Sequence, residues 1–228
     1  LSFETPVKLD CNLKEIYWAS KAPYRLWYKD KFVVFSPECF VRIRDGKIST
    51  FPMKGTIDAN ISEAKETILS DKKESAEHAT IVDLLRNDLS RIAEDVKVER
   101  YRYIDKISTN RKNLLQVSSE ITGRLPKNYQ NCLGDIFYQI IPAGSVTGAP
   151  KTKTVEIIKQ LETHRRAYYT GIFGYSDGKG SIDSAVMIRY IEKRGEKYYY
   201  KSGGGITFMS DAEKEYNELK DKVYVPVY

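Results

Sequence analysis

The spacing of apolar residues changes twice along this chain, from strand-like alternation to a helical period and back. Alternating runs at 24–28, 31–35 and 40–43 occupy the first fifty residues, and Asp45-Gly46 is a hairpin turn signal. These runs predict an antiparallel meander. Alternation returns at 171–175, 181–191 and 197–201, with a second turn signal at Asp177-Gly178.

The region between these strands is predicted to be helical. From Ser62 to about Ala93 an apolar stripe is formed by Ile81, Leu84, Leu85, Leu89 and Ile92. A second helix is predicted from Pro150 to Glu162, and a third after Ser210, which has capping-box spacing to Glu213. This order of elements, without strict βαβ alternation, predicts an α+β fold: a layered sandwich of antiparallel β-sheets flanked by helices. No linker interrupts it, so we expect one domain over residues 1–228.

Composition places the chain among globular proteins. It is 41% hydrophobic and 30% charged, and no apolar run approaches the ~18 residues that a membrane helix needs. We therefore predict a cytoplasmic protein with no membrane span. The net charge of +6 comes from interspersed basic and acidic residues, so a small anionic substrate explains it, and we expect no nucleic-acid partner. Cys11, Cys39 and Cys132 are widely spaced and predict reduced, buried thiols.

Lys54 is the strongest single candidate for a catalytic group. It lies between Pro52 and Gly55, so we expect a restricted loop that can aim the amine. Most lysines are exposed and inert, so a catalytic role for Lys54 needs support from elsewhere in the chain.

Two pairs of glutamates share one spacing: Glu74 with Glu77, and Glu215 with Glu218. Residues three apart on a helix project to one side, where like charges are mildly unfavourable unless a cation offsets them. Mg²⁺ is the natural partner, because it binds carboxylates together with water and substrate oxygens. Each pair taken alone is more typical of solvent-facing surface acids, because Glu is rarely buried unless paired.

Two glycine-containing loops could bind anions. Gly203, Gly204 and Gly205 precede the last helix and can expose backbone N–H groups to a carboxylate or phosphate, although a flexible turn explains them too. The loop from Gly144 to Lys151 opens a helix N-terminus. Its spacing departs from that of a phosphate-binding Walker loop, which makes a nucleoside triphosphatase a poor interpretation. His78 and His164 lack a local nucleophile or ligand partner, and we expect surface or helix-end positions for both.

Five segments taken together resemble the chorismate-utilising enzymes. They are residues 36–38, 52–56, 81–88 and 144–151, and the triplet 203–205 followed by Glu215 and Glu218. Their order and intervals across almost the whole chain make chance agreement improbable. Within this family, Lys at position 54 is typical of the branch that aminates chorismate, the aminodeoxychorismate synthases, whereas Ala is typical of anthranilate synthases.

The resemblance implies a reaction and a role for each residue. Mg²⁺ would bind the ring carboxylate through Glu77 and Glu218, supported by Glu74 and Glu215. Lys54 would attack ring carbon C2 and displace the C4 hydroxyl, Glu38 would shuttle protons, and ammonia would expel Lys54 to give 4-amino-4-deoxychorismate, a precursor of para-aminobenzoate and folate. The substrate would be bound by Thr147, Tyr169, Arg189, Gly203, Gly204, Gly205 and Lys222.

The resemblance also implies a partner and leaves alternatives. A glutamine amidotransferase subunit would supply the ammonia. The chain is shorter than typical large subunits and implies a sandwich shortened at its N-terminus. Gln116 stands where anthranilate synthases usually carry His, which argues against that branch and can alter proton handling. An anthranilate or isochorismate synthase, or a non-catalytic chorismate-binding module, remain the competing hypotheses, and for Arg189 so does a surface ion pair at a strand end.

Overall fold

The computed structural model describes residues 1–108 and 113–226, which form two antiparallel sheets with helices packed against them. The strands are β1 (Ser2–Val7), β2 (Tyr24–Tyr28), β3 (Phe32–Ser36), β4 (Cys39–Arg44), β5 (Lys47–Thr50), β6 (Met53–Asp58), β7 (Glu94–Ser108), β8 (Asn113–Arg124), β9 (Ile172–Ser176), β10 (Ile182–Val186), β11 (Tyr190–Arg194) and β12 (Lys197–Gly203). The α-helices are α1 (Leu13–Ala19), α2 (Ala64–Ser70), α3 (Lys72–Ser90), α4 (Leu133–Ile140), α5 (Lys151–Leu161) and α6 (Ala212–Asp221).

Each sheet combines strands from both halves of the chain. Sheet one has the order β1-β12-β11-β3-β2. Sheet two has the order β6-β8-β5-β4-β10-β9, and β7 pairs with β8 beside that path. The β4–β5 hairpin turns at Asp45 and Gly46, both at positive φ, as its turn signal predicts.

Sheet one packs against other elements on both faces, because the side chains of its inner strand β3 point alternately to each face. On β3, Val33 and Phe35 pack in a cluster with Leu13 and Ile16 of α1. Phe32 and Val34 pack on the opposite face with Tyr190, Met187 and Phe173, the last of which belongs to sheet two. Aromatic and branched side chains thereby join the two sheets.

Sheet two is covered by α3 and α4. The apolar stripe of α3 contributes Val82, Leu85 and Leu89, and these pack on fully buried Ile43, Ile48 and Ile121 of the sheet. Burying a side chain of this size contributes about 2 kcal/mol, so this cluster is a major source of stability. The helix begins at Asp71, whose carboxylate accepts a hydrogen bond from the Glu74 N–H at 2.9 Å.

The predicted α+β sandwich is confirmed, but two predicted strand arrangements were wrong. The first fifty residues do not form one meander, because β2 and β3 lie in sheet one whereas β4 and β5 lie in sheet two. The strand predicted over 181–191 is two strands, β10 in sheet two and β11 in sheet one. Apolar residues lie on both sides of each crossing, so the apolar pattern alone does not reveal where the chain changes sheets.

Three further details differ from the sequence-based expectations. The helix predicted over 62–93 is divided into α2 and α3 at Asp71. Asp211, not Ser210, caps α6, by accepting a hydrogen bond from the Lys214 N–H at 3.0 Å. The three cysteines are free thiols, as expected, but each is half-buried. None of the helices in the described residues is long and apolar enough to cross a membrane.

Candidate active site

Lys54 lies on a strand and not on the predicted loop. It is the second residue of β6 and pairs with Val117 of β8, and the pairing register shifts between Lys54 and Thr56. A bulge of this kind redirects a side chain without ending the sheet. Gly55, at φ +75°, provides the backbone conformation that the bulge needs. Lys54 Nζ lies 2.6 Å from Glu77 Oε2.

The glycine after Lys54 is required by packing as well as by its φ angle. A Cβ atom at Gly55 would lie 3.3 Å from Glu74 Oε2 and 3.4 Å from the Ile68 side chain. The bulge is therefore pressed against α2 and α3, and this contact places Lys54 beside the first pair of glutamates.

The two glutamate pairs meet in space, although they lie 141 positions apart in sequence. Lys73 Nζ, on α3, is 3.9 Å from Glu77 Oε1 and 3.1 Å from Glu215 Oε1 of α6. Glu218 Oε1 is 2.6 Å from Lys222 Nζ. The carboxylates of both helices thus converge on a set of lysine ammonium groups.

Burial and neighbouring charges give these carboxyl groups different protonation behaviour. Burial raises the pKa of Glu74, and the nearby carboxylates of Glu77 and Glu218 raise it further against the opposing effect of Lys54. Burial acts in the same direction on Glu215, but hydrogen bonds from Ser210 and Lys73 outweigh it and hold the pKa of Glu215 below its usual value.

The donor set fits a hard divalent cation by its chemistry. Carboxylate oxygens from two helices are the ligands such a cation prefers, and mutually destabilised carboxylates gain most from one. Across residues 1–108 and 113–226, however, no three acidic, His or Cys side chains are arranged ready to hold a metal. Glu77, Glu215 and Glu218 are instead each paired with a lysine.

The glycine loop at the end of β12 packs closely against the rest of the site. A Cβ atom at Gly203 would lie 3.2 Å from the Tyr169 hydroxyl, and one at Gly205 would lie 3.7 Å from Lys54 Nζ. One N–H of the loop is already used, because Gly204 donates to the Leu1 carbonyl oxygen at 3.0 Å. Lys222 Nζ donates to the Gly203 carbonyl oxygen at 3.2 Å.

Glu38 lies within electrostatic range of both Arg189 and Lys54. The Ser145 hydroxyl donates a hydrogen bond to Glu38 Oε1. Burial raises the pKa of Glu38, opposed by this hydrogen bond and by the positive charges of Arg189 and Lys54. Arg189 makes no ion pair with any residue that the structure describes, so the surface-pair alternative is not observed. Its positive charge instead acts on Glu38 and Tyr169.

Tyr169 is buried next to this group, whereas Thr147 faces a separate cavity. Burial raises the pKa of the Tyr169 hydroxyl to about 12, despite the nearby positive charge of Arg189, so Tyr169 is a neutral hydrogen-bonding group. The Thr147 hydroxyl donates to the Ala143 and Gly144 carbonyl oxygens at 3.1 and 3.2 Å. Thr147 also lines an open cavity of about 490 Å³ beside α5. Lys54 does not line that cavity.

The surface position expected for His78 was wrong. Its side chain is 1% exposed, and Nε2 lies 2.7 Å from Ser119 Oγ. Burial lowers the pKa of His78 to about 4, so the ring is neutral near pH 7. The signal was present in the sequence, because His78 continues the stripe of Val82 and Leu85 at helical spacing. His164 is half-buried, with Nε2 3.1 Å from Ser2 Oγ.

Sequence reasoning also missed Lys73 and Ser145. Lys73 precedes Glu77 by four residues on α3, a spacing that predicts an ion pair, although only the structure shows its contact with Glu215. Ser145 has no sequence signal beyond its place in the loop from Gly144 to Lys151, because its contact with Glu38 depends on long-range packing.

The two-sheet α+β fold thus sets Lys54 among glutamates, close to the glycine loop, with Glu38 and Arg189 within electrostatic range. The family model described as chorismate binding enzyme matches residues 1–227. The chain therefore belongs to the chorismate binding enzyme family. This result confirms the family resemblance seen in the five sequence segments.

Curated relatives include both close and more distant proteins. An uncharacterized PabA-like protein of Haemophilus influenzae is 52% identical over 227 residues, which is 100% of this chain and 69% of that protein. A PabA-like protein of Pasteurella multocida is also 52% identical, with 70% of its length covered. Anthranilate synthase component 1 of Aquifex aeolicus is 36% identical over 212 residues, 88% of this chain and 42% of the enzyme.

Solved structures share the fold. Anthranilate synthase component I from Streptococcus pneumoniae superposes with a TM-score of 0.80 at 31% identity, covering 97% of this chain and 51% of that one. A 2,3-dihydroxybenzoate-specific isochorismate synthase from Bacillus anthracis has a TM-score of 0.77 at 23% identity, covering 97% of this chain and 63% of that one, which shows the fold alone. The chain thus spans between half and two thirds of these structures.

Proposed function

We propose that this chain forms one chorismate-binding catalytic domain that aminates chorismate with ammonia to 4-amino-4-deoxychorismate. The observation that carries the proposal is the position of Lys54. Its amine lies 2.6 Å from Glu77 and next to the Gly205 loop, on a bulged strand that fixes its direction. A lysine held in this way can act as a nucleophile toward a bound substrate.

The substrate would be bound by its negative charges. Arg189 offers paired donors to one carboxylate, and the Tyr169 hydroxyl can donate a further hydrogen bond. Lys222 and the loop of Gly203, Gly204 and Gly205 border the same space. Thr147 would contribute from the neighbouring loop after a change in its hydroxyl hydrogen bonds.

Amination would proceed by two displacements that balance overall. The free amine of Lys54 forms a bond to ring carbon C2, both ring double bonds shift toward C4, and the C4 hydroxyl leaves. Glu38, whose raised pKa allows it to carry a proton, protonates that hydroxyl so that it departs as water. Ammonia then adds at C4 and returns a proton to Glu38, both double bonds shift back, and the Lys54 amine is released.

A divalent cation fits the carboxylate cluster, as argued above from its donors. Glu77 and Glu218 would hold Mg²⁺, with Glu74 and Glu215 in support, and the bound cation would supply positive charge to the ring carboxylate. The relatives named as PabA-like and as component 1 of anthranilate synthase support a protein that works with a glutamine amidotransferase as its ammonia source.

A second candidate is anthranilate synthesis from the same substrate. It is favoured by the 36% identity to anthranilate synthase component 1 of Aquifex aeolicus. The two candidates predict different products from the same mixture of protein, chorismate, Mg²⁺ and ammonium salt. Mass spectrometry identifies the product, and a chelator tests the metal requirement. Anthranilate or isochorismate in place of aminodeoxychorismate would refute the proposed branch.

A lysine variant tests the nucleophile directly. Lys54→Ala is expected to weaken or redirect amination while chorismate and Mg²⁺ binding are largely retained. Lys72→Ala is the matched control, because Lys72 is an exposed lysine on the neighbouring helix and removes the same charge. Loss of chorismate binding in Lys54→Ala alone would reject the nucleophilic role, since the side chain would then act in binding.

A further inference from the structure

Lys73 occupies a position that the proposed reaction leaves unexplained. Its ammonium group lies between the two glutamate pairs, 3.9 Å from Glu77 and 3.1 Å from Glu215. Within the part of the chain that the structure describes, Lys73 to Glu215 is the only ion pair that joins α3 to α6. These are the two helices that carry every carboxylate of the cluster.

The exposures of the three side chains show which of them can move. Glu215 and Glu77 are 9% and 13% exposed, whereas Lys73 is 37% exposed. The carboxylates are held from several directions, since Glu215 Oε1 also accepts from Ser210 Oγ at 2.7 Å and Glu77 Oε2 contacts Lys54. Of Lys73, Glu77 and Glu215, Lys73 is the one with a long, flexible stem and a direct path to water.

A cluster of half-buried carboxylates is unstable without positive charge nearby. Lys73 supplies that charge to one oxygen of Glu77 and one oxygen of Glu215. A divalent cation that is bound by the same oxygens must displace the Lys73 ammonium group, because otherwise the two positive charges would repel each other at short distance.

We propose that Lys73 is a resident counter-cation of the glutamate cluster, a positioning residue that holds Glu77 and Glu215 toward each other and competes with the divalent metal for them. Lys73 orients the carboxylates when no metal is bound, and its ammonium group turns to solvent when the metal enters. The inference rests on the metal site of the proposed function and adds a residue that limits metal affinity.

Direct titration of the protein with Mn²⁺, followed by the electron paramagnetic resonance signal of the free ion, tests the competition without chorismate. Lys73→Met keeps the length of the stem and removes the charge. It is expected to bind Mn²⁺ at least fivefold more tightly than the wild type, because the competing ammonium group is gone. Lys73→Arg keeps the charge and is expected to show no such gain.

Lys72→Met is the matched control for net charge. It lies next to Lys73 on the same helix, is exposed, and forms no ion pair with any residue in the described ranges. Equal Mn²⁺ affinity in Lys73→Met and Lys72→Met, or weaker affinity in Lys73→Met, would overturn the proposal. Product identity plays no part in this measurement, so its outcome is independent of whether the enzyme makes aminodeoxychorismate.

A second readout separates competition from simple loss of stability. Saturating Mn²⁺ should raise the melting temperature of Lys73→Met by more than it raises that of the wild type, because stabilisation by a ligand grows with its affinity. A purely structural role for Lys73 predicts a lower melting temperature in both states with an unchanged difference, and that result would also reject the competition.

Discussion

Replacing Gly55 by alanine should damage both the stability of the protein and the aim of Lys54. Gly55 has φ +75°, where a Cβ atom is unfavourable by about 1–2 kcal/mol. In addition, that Cβ would lie 3.3 Å from Glu74 Oε2, which is tighter than ordinary van der Waals contact, and 3.4 Å from Ile68, at the lower limit of such contact. Crowding of this kind typically costs another ~1 kcal/mol or more.

The glycine at 178 separates the two contributions. Gly178 has φ +70°, but a Cβ there would meet no atom within 4 Å. Gly178→Ala therefore carries the backbone penalty without the crowding, and is expected to lose about 1–2 kcal/mol in the free energy of unfolding. Gly55→Ala is expected to lose about 2–4 kcal/mol, the sum of both terms.

Urea denaturation of the wild type and the two variants measures these losses. Amination of chorismate should fall at least tenfold in Gly55→Ala, because the bulge that directs Lys54 must shift, and it should stay near the wild-type rate in Gly178→Ala. Equal losses of stability in the two variants would show that the contact between β6, α2 and α3 is not tight. Full activity in a destabilised Gly55→Ala would show that the bulge does not set the direction of Lys54.

Three further predictions concern single side chains. Ser145→Ala removes a hydrogen bond that lowers the pKa of Glu38, so the ionisation seen in the pH profile of amination should move to higher pH, and Ser145→Thr should restore it. Lys151→Met should reduce the free energy of unfolding by about 3–5 kcal/mol. The reason is that Lys151 Nζ lies 2.6 Å from the buried carboxylate of Asp88, which would be left as an uncompensated charge. The double variant with Asp88→Asn should recover much of the lost stability. His78 has a pKa of about 4 against an ordinary 6.5, so the folded state is favoured fully above pH 6.5 and loses about 3 kcal/mol of stability as the pH falls to 4. In His78→Gln the free energy of unfolding should depend less on pH between 6.5 and 4. An unchanged pH dependence would contradict the assignment.

Local signals predicted the elements whose packing follows their own periodicity. The helical stripe through Leu85 and Leu89 is observed on α3, because the same residues that set the period also fill the core. The hairpin at Asp45-Gly46 is observed because the turn chemistry is contained within two residues. In these cases the sequence determines the structure over a short range.

The errors concern features that depend on distant partners. Pro52 and Gly55 suggested a loop around Lys54, but pairing with β8 makes it a strand and gives the glycine to a bulge. The spacing of Glu74 and Glu77 predicted one helix face, yet it could not show that α6 lies opposite that face. That contact is made by Lys73, whose partner on α6 is 142 residues away. Nothing in local propensity encodes such a distance.

The way the chain crosses between its sheets explains why this fold builds a site at this place. Glu38 lies in the short crossing from β3 to β4, and Arg189 lies in the return crossing from β10 to β11. Each crossing accepts a hydrogen bond from a strand that flanks the other: the Val186 N–H of β10 donates to the Glu38 carbonyl oxygen, and the Phe35 N–H of β3 donates to the Arg189 carbonyl oxygen, both at 3.1 Å. Arg189 has φ +53°, an unfavourable backbone for a residue of its type that the paired crossings stabilise. The proposed proton carrier and the proposed anion-binding cation are therefore set side by side by the same backbone that joins the sheets, and substitutions that loosen the packing between the sheets should reduce substrate binding before they unfold the protein.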